Sequence, residues 1–477
     1  MVEVLAPLPW AQRHFGQAAL GDKRRTRRVV TYAAAAARAP SQSIPQQCGG
    51  WQRTKGAYRL FDQPAVSFDK VQAPHRRLTR EAAAARSVVL WVSDTTTLSF
   101  PHPDTRGLGP TSAGGSGMLL HSTLAVDVSG GIDAPPFVLG LGHQQVWARP
   151  AAEGKAKVKA KEPESAKWRA GVEAVGTPPP GGGVRWVHVG DSESDCWEAL
   201  ESCRERGSGF ALRACQDRRA VAGHDDAPPD GAAAAPAAAD STLFDLLGRA
   251  PALGGKRLWV RGRRDREARW ARLSVSATPV TLFAPKNWAD KPHRKDKPRP
   301  GPIRCWAVRV HEIDPPAGAE PVEWVILTDE PVADLSAALT VAFWYACRWL
   351  IEEYHKCLKS GCRVESRQLA EAGRLRTLLG VLAVVAVRLL QLKHQAKVDP
   401  DAPALGVIPA RYVRTLAAHL KRSSEKMTTR EFWRETARMG GFLGRKGDGD
   451  PGWLTLWRGW QQLETLTTGF ELGEKER

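Results

Sequence analysis

Val88-Val-Leu-Trp-Val-Ser-Asp-Thr-Thr96 is the stretch that decides the fold. Its five leading apolar residues predict a buried strand over 88–92, and Asp94 follows where that strand ends. The pattern recurs at a predicted strand over 184–189, which is followed by Asp191 and by a helical segment over 195–205. Strands that end at acidic residues and lead into a helix predict a mixed α/β core. An acidic residue after a strand is also a common cap, and this alternative stays open for either aspartate alone.

The patterns on either side of these strands differ and divide the chain. Another strand is predicted over 119–128, and between 207 and 330 the period shifts towards two, which predicts a β-rich insertion. Its candidate strands are 210–213, 257–261, 269–275, 280–283, 303–310 and 323–327, with loops expected at 228–239 and 285–302. The predicted domains are an N-terminal helical domain over 1–75, an α/β core over 76–206 and 331–395, the insertion over 207–330, and a C-terminal helical region over 396–477.

The charge of the chain indicates a polyanionic partner. The 477 residues contain 69 Lys and Arg against 51 Asp and Glu, a formal net charge of +18. Such a balance argues against an enzyme working alone on small cationic or neutral substrates, and it favours nucleic acid first and an anionic membrane second. The membrane is the weaker candidate, because the longest apolar run, 378–387, is too short to span a bilayer.

The basic residues are concentrated near the N-terminus. The first ninety residues contain 15 Lys and Arg against five Asp and Glu. Within them a helix is predicted to begin at an Asp22 cap and to continue through the alanines at 33–37. A solvated helix face and a DNA-binding face both fit this pattern.

The eight cysteines show no regular ligand spacing. Cys357 and Cys362 lie near His355, which leaves a zinc site as an alternative, but reduced thiols packed in the core are favoured.

A helix predicted over 343–359 collects polar side chains on one face. At 100° per residue, Tyr345, Arg348, Glu352 and Lys359 share a stripe about 60° wide, and Glu353 falls outside it. The stripe fits a solvated face of an amphipathic helix or a functional site. Glu352 of this stripe joins Asp94 and Asp191 as a third candidate carboxylate. Hard oxygen ligands of this kind suit Mg²⁺ or Mn²⁺.

The spacing Tyr345-x2-Arg348-x3-Glu352-x6-Lys359 resembles the Y-R-E-K signature of the insertion-sequence-four group of DDE transposases. The surrounding residues are similar to the transposon-five type within that group. The similarity extends over essentially the whole chain, and the segments that carry it include 20–26, 56–59, 94–99, 191–195, 386–392 and 452–460.

The resemblance implies an α/β RNase H-like catalytic core that carries Asp94, Asp191 and Glu352, is interrupted by the β-rich insertion, and is flanked by N-terminal and C-terminal helical domains. It implies DNA contacts by further residues. These are Arg25, Arg28, Arg38, Arg59 and Arg213, with Trp324 stacking a flipped base and Tyr345, Arg348 and Lys359 holding the adjacent phosphate. A buried strand tryptophan is the alternative for Trp324.

The activity implied is cut-and-paste DNA transposition with two Mg²⁺ ions per active site, for which Mn²⁺ would substitute. The implied partners are double-stranded DNA, both inverted-repeat ends and target, and a second copy of the chain in a synaptic homodimer, with no membrane. The implied location is the bacterial cytoplasm, in association with the nucleoid. Two rival functions are a catalytically silent DNA-binding protein derived from a transposase, and a nuclease without strand transfer.

Overall fold

The computed structural model describes residues 6–102, 105–150, 164–224, 241–260, 267–290, 294–295, 298–445 and 448–475. The helices are α1 (Pro7–Phe15), α2 (Lys23–Arg38), α3 (Ile44–Cys48), α4 (Trp51–Phe61), α5 (Phe68–Ala84), α6 (Ala166–Val175), α7 (Trp197–Glu205), α8 (Leu243–Arg249), α9 (Leu335–Ala346), α10 (Trp349–Lys356), α11 (Ala372–Val398), α12 (Ala404–Val407), α13 (Ala410–His419), α14 (Thr429–Met439) and α15 (Trp453–Lys475). The strands are β1 (Val88–Ser99), β2 (Gly109–Pro110), β3 (Ser116–Asp127), β4 (Phe137–Trp147), β5 (Arg185–Gly190), β6 (Gly209–Arg213), β7 (Ala220–Ala222), β8 (Ala252–Val260), β9 (Arg269–Leu282), β10 (Ile303–Ile313) and β11 (Glu323–Thr328).

A single mixed sheet forms the centre of the described structure. Its path runs β2-β3-β1-β5-β6-β11-β10-β9-β7, with β4 paired to β3 and β8 paired to β9. The strand β1 pairs antiparallel with β3 and parallel with β5, and β5 pairs parallel with β6. The predicted mixed core with flanking helical regions is therefore confirmed.

The β-rich region between 207 and 330 continues the same sheet. Its first strand, β6, pairs with β5 of the core, and β11, β10 and β9 follow in order. The strands predicted at 269–275 and 280–283 are one strand, β9, so their separation was wrong. Pro279 suggested a break there. It is tolerated because the second neighbour of β9 changes from β8, which ends its pairing at Ser276, to β7, which begins at Val280.

Two elements beside the core, β4 and α6, were not predicted. The glycines of β4 hide its strand pattern, and they are there because neighbouring groups come very close. A Cβ at Gly140 would lie 2.2 Å from the Thr79 hydroxyl of α5, and one at Gly142 would lie 2.4 Å from the Trp91 ring of β1.

The helix α11 lies under the sheet and between the terminal helical regions. The stretch Ala372–Leu392 is long and apolar enough to cross a membrane, but 89% of its most apolar window is buried inside the protein. The expected loop at 228–239 lies outside the described residues, as does part of the one at 285–302. Within the latter, Trp288 is buried and the Arg294 guanidinium lies 3.9 Å from its ring centre.

Candidate active site and DNA-binding surface

Asp94 and Asp191 lie on neighbouring strands where β5 ends, a place called here the acid edge of the sheet. The predicted end of the first strand at residue 92 is wrong, because β1 continues to Ser99 in its pairing with β3 and Asp94 lies within it, whereas Asp191 directly follows β5. In the parallel pairing of β1 with β5, Val92 is opposite Val189, and each aspartate comes two residues after its member of that pair. Burial raises the pKa of Asp94 to about 6, and the Asp191 carboxylate acts in the same direction. The two acids therefore repel each other across neighbouring strands, which the sequence pattern alone did not show and the resemblance implied.

Backbone N–H groups fix one oxygen of each aspartate. The Thr95 N–H donates to Asp94 Oδ1 at 2.7 Å, and the Glu193 N–H donates to Asp191 Oδ1 at 3.0 Å. Asp191 thereby caps a short 3₁₀ turn over Ser192–Ser194, so the cap alternative is geometrically correct for this residue. Burial nevertheless raises its pKa, which shows that the cap leaves the carboxylate poorly solvated.

Glu352 and Arg348 bring a third carboxylate and a cation to the same edge. The Arg348 Nη2 donates to Glu352 Oε1 at 2.6 Å. Glu352 contributes to the raised pKa of Asp94, while Arg348 lowers the pKa values of both Asp94 and Asp191. Arg348 is thus the counter-ion for all three acids.

The neighbouring acid Glu353 points elsewhere. Its Oε2 lies 3.7 Å from the His394 Nε2 of α11. The sequence placed Glu353 outside the polar stripe, and this separation from Glu352 is confirmed.

In the described part of the chain, no three His, Cys, Asp or Glu side chains converge into a preformed metal site. The zinc alternative is not supported, because Cys357, Cys362 and His355 are buried without forming such a cluster. Six of the eight cysteine thiols are buried, as predicted, but Cys196 is half-buried and Cys215 is exposed. At the acid edge, the donors present are carboxylates, which are ligands that Mg²⁺ and Mn²⁺ prefer.

The single helix predicted over 343–359 is wrong. The helix α9 ends at Ala346, and α10 begins at Trp349. Around the break, the Arg348 N–H bonds the Tyr345 carbonyl and the Ile351 N–H bonds the Arg348 carbonyl, which are tight three-residue turns. A wider π turn follows over Cys357–Gly361. Both irregularities rotate side chains away from an ideal helical wheel.

Tyr345 consequently leaves the predicted polar stripe. It is only 4% exposed, and its ring packs edge-on against Trp324 of β11, with ring centres 5.3 Å apart. Trp324 itself is half-buried, so it is neither a free surface residue nor the fully buried strand tryptophan of the alternative. Lys359, in the π turn, lies 3.8 Å from the Glu365 carboxylate.

Polar groups that the sequence analysis missed surround the acids. His355 Nδ1 lies 3.9 Å from Asp94 Oδ2, and burial lowers the His355 pKa to about 3, so this imidazole is neutral. Lys167 is buried, donates to Glu193 at 2.9 Å, and helps to lower the pKa of Asp191. The sequence did not single out Lys167, because this residue is the last one of a basic stretch of low complexity.

The N-terminal arginines surround a groove of about 690 Å³ between α2 and α4. Arg28 and Arg38 line it, and Arg59 is exposed on α4. Arg25 differs, because its guanidinium donates to the Leu20 carbonyl at 3.1 Å and to Gln63 at 3.4 Å. Asp22 accepts from the Arg24 N–H at 2.7 Å, so the predicted cap of α2 is confirmed.

Arg213 lies beside a second groove of about 350 Å³ at the end of β6. Its Nη2 donates to the Glu323 carbonyl at 3.3 Å, and Arg309 binds the Glu323 carboxylate at 2.9 Å. Arg213 is in register with Ile326, two residues along β11 from Trp324, and its groove shares no lining residue with the N-terminal groove.

A basic helical groove at one end and an acidic sheet edge in the middle define a class of protein that binds and processes nucleic acid. Comparison with known protein families identifies this class more closely. Residues 8–66 match the family model described as Transposase DNA-binding, and residues 384–474 match the one described as Transposase Tn5 dimerisation domain. The chain is therefore similar to a transposase DNA-binding domain over its N-terminal helices and to the Tn5 transposase dimerisation domain over its C-terminal helices, and these matches support DNA binding and homodimer formation.

Proposed function

We propose that this protein is a cut-and-paste DNA transposase of the insertion-sequence-four group, with Asp94, Asp191 and Glu352 as its catalytic triad. The observation that carries the proposal is the placement of Asp94 and Asp191 by adjacent parallel strands, with Glu352 and its partner Arg348 on α10 near enough to act on Asp94. The adjacent parallel strands that carry the aspartates, followed by a helix that carries the glutamate, support an RNase H-like core.

The three carboxylates would hold two Mg²⁺ ions, or Mn²⁺ in their place, and the mutual repulsion of the acids favours such cations. Two divalent ions bound there would activate the attacking oxygen and stabilise the leaving oxygen. Arg348 already balances these charges, so its guanidinium is placed to turn from Glu352 towards a DNA phosphate. Lys359 and Tyr345 would complete that phosphate site, and the half-buried Trp324 ring would stack a base drawn out of the duplex.

The reaction would proceed by four exchanges of phosphorus–oxygen bonds. Water nicks one strand at the transposon end, and the freed 3′-hydroxyl attacks the opposite strand to close a hairpin. A second water opens the hairpin, and the same 3′-hydroxyl then attacks target DNA. The N-terminal groove lined by Arg28 and Arg38, together with the exposed Arg59 of α4, would bind the inverted-repeat ends. The C-terminal domain would pair two protomers so that each end has one active site. The site of action would be the bacterial cytoplasm at the nucleoid.

A matched pair of neighbouring acids tests the catalytic assignment. Glu352→Gln should abolish Mg²⁺-dependent cleavage of a linear fragment that carries the DNA flanking the gene, while binding of the fragment is retained. Glu353→Gln, one residue away but directed at His394, should cleave like the wild-type protein. Retained cleavage in the Glu352 variant would refute the triad.

The products separate the rival functions. Hairpins and joined target molecules are expected from the wild-type protein. A wild-type protein that binds but leaves the DNA intact would support a catalytically silent protein. Random degradation without hairpins would support a nuclease.

A further inference from the structure

The hairpin of β8 and β9 exposes two tryptophans to solvent. Trp259 and Trp270 are directly opposite each other in the antiparallel pairing, and their ring centres are 5.3 Å apart. They are 47% and 57% exposed, although large aromatic side chains usually find cover. The two rings thus form an aromatic surface that no other part of the described structure covers.

Cations lie beside this aromatic pair. The Arg257 Cζ is 5.1 Å from the centre of the Trp270 ring, and Arg257 is directly opposite Arg272, two rungs along the ladder from the tryptophan pair and on the same face. Like charges placed opposite each other destabilise a strand pair. Asp314 balances one of the two charges, at 2.6 Å from Arg272. An anionic ligand would balance the other.

The sequence that joins the two strands is also basic. Residues 261–266 read Arg-Gly-Arg-Arg-Asp-Arg, which adds a net charge of +3 next to the tryptophans in the chain. Exposed aromatic rings interleaved with arginines are the combination that stacks unpaired bases and tracks a phosphate backbone.

This patch is separate from the proposed base site at Trp324. Through β10, Val275 of β9 is in register with Val310 and Trp324, so these side chains share a face of the sheet. Trp270 is five residues before Val275, which places it on the opposite face and, at about 3.4 Å per residue and about 4.8 Å per strand, on the order of 20 Å from Trp324. One nucleotide cannot occupy both sites.

We propose that Trp259 and Trp270, with Arg257 and Arg272, form a second DNA-binding surface that stacks unpaired bases of a single DNA strand. The proposal needs DNA as the partner of this chain but does not need the cleavage chemistry. Failure of one therefore leaves the other standing.

The test compares single-stranded with duplex DNA. Fluorescence anisotropy of the full-length protein with fluorescein-labelled dT20 and with a 20-base-pair duplex of mixed sequence gives both affinities. Because stacking of a base on an aromatic side chain contributes about 1–3 kcal/mol, the Trp259→Ala/Trp270→Ala variant should bind dT20 at least about tenfold more weakly. Its affinity for the duplex should stay within about twofold of wild type, since duplex binding depends on phosphate contacts elsewhere.

Two further variants keep the outcome clear if the double alanine variant folds poorly. Trp259→Phe/Trp270→Phe retains aromatic faces and should bind dT20 within about threefold of wild type, whereas Arg257→Gln should weaken dT20 binding and reduce its salt dependence. Ile132→Ala removes an exposed apolar side chain in the turn between β3 and β4, outside the patch, and should change neither affinity. Unchanged dT20 affinity in both the double alanine and the Arg257 variants, or an equal loss for dT20 and duplex, would overturn the proposal.

Discussion

Replacing Asp94 by asparagine should stabilise the metal-free protein at neutral pH. The pKa of Asp94 is raised by burial to about 6 from its ordinary 3.8, so the ionised side chain is disfavoured in the folded state. The folded protein then holds a proton that the unfolded chain releases, and stability falls as the pH rises from 3.8 through 6. Above pH 7, this shift of the Asp94 pKa lowers the free energy of unfolding by about 3 kcal/mol. At pH 4 it lowers the free energy of unfolding by about 0.5 kcal/mol.

The substitution removes this cost with little change of shape. The amide oxygen of the introduced asparagine can still accept the Thr95 N–H, which now bonds Asp94 Oδ1 at 2.7 Å. The Asp94→Asn variant should therefore exceed the wild-type protein in free energy of unfolding by about 3 kcal/mol at pH 7.5 and by about 0.5 kcal/mol at pH 4.

Urea unfolding in EDTA, followed by tryptophan fluorescence at a series of pH values, measures this difference. Asp133→Asn, at an exposed position of the turn between β3 and β4, is the control and should change stability by less than about 0.5 kcal/mol throughout. Adding Mg²⁺ in place of EDTA should narrow the gap, because a divalent cation relieves the same repulsion in the wild-type protein. A gap that does not vary with pH, or an Asp94→Asn protein less stable than wild type at pH 7.5, would refute this account of the acid edge.

Two other substitutions test the scaffold that supports the site. Gly459→Ala should disrupt the crossing of α14 and α15 and lower the dimer fraction in analytical ultracentrifugation, because its Cβ would lie 1.6 Å from the Thr436 carbonyl oxygen. Gly469→Ala, in the same helix with nothing within 4 Å of the new Cβ, should be neutral or stabilise by up to about 1 kcal/mol; equal behaviour of the two variants would contradict the close crossing. Arg218→Met should lower the free energy of unfolding by about 3–5 kcal/mol in urea melts, since it leaves the buried Asp195 carboxylate without its ion-pair partner. A loss below about 1 kcal/mol would show that the pair is not needed.

The parts of the site that the sequence could predict are those set by local pattern. The apolar runs before Asp94 and Asp191 predicted the two strands that carry or precede these acids, and the parallel pairing of those strands brings the acids together. The end of the first strand was not predictable in this way, because β1 continues past Asp94 to Ser99 through its pairing with β3. Helical periodicity predicted that Glu352 and Glu353 point in different directions from the helix. The structure retains this difference because α10 is regular between its two irregular ends.

The parts that could not be predicted depend on contacts between distant segments. No periodicity signals that the helix breaks before Trp349, because the break exists where Tyr345 packs on Trp324, a residue of a strand in the insertion. Lys167 acts on Asp191 only because the fold places α6 beside the turn after β5, where the Lys167 ammonium also donates to Glu193.

The balance of charge at the acid edge explains why Arg348 and the triad must be understood together. Burial raises the pKa of Asp94 first, and the carboxylates of Asp191 and Glu352 add to this effect. Arg348 opposes it, because this cation lowers the pKa values of Asp94 and Asp191 and binds Glu352 directly. Because its guanidinium binds Glu352 directly, any anion that competes for Arg348 also changes the charge that the acids experience. Occupation of the edge by a phosphate and the affinity of the acids for cations are therefore linked through one side chain, as reciprocal binding equilibria require.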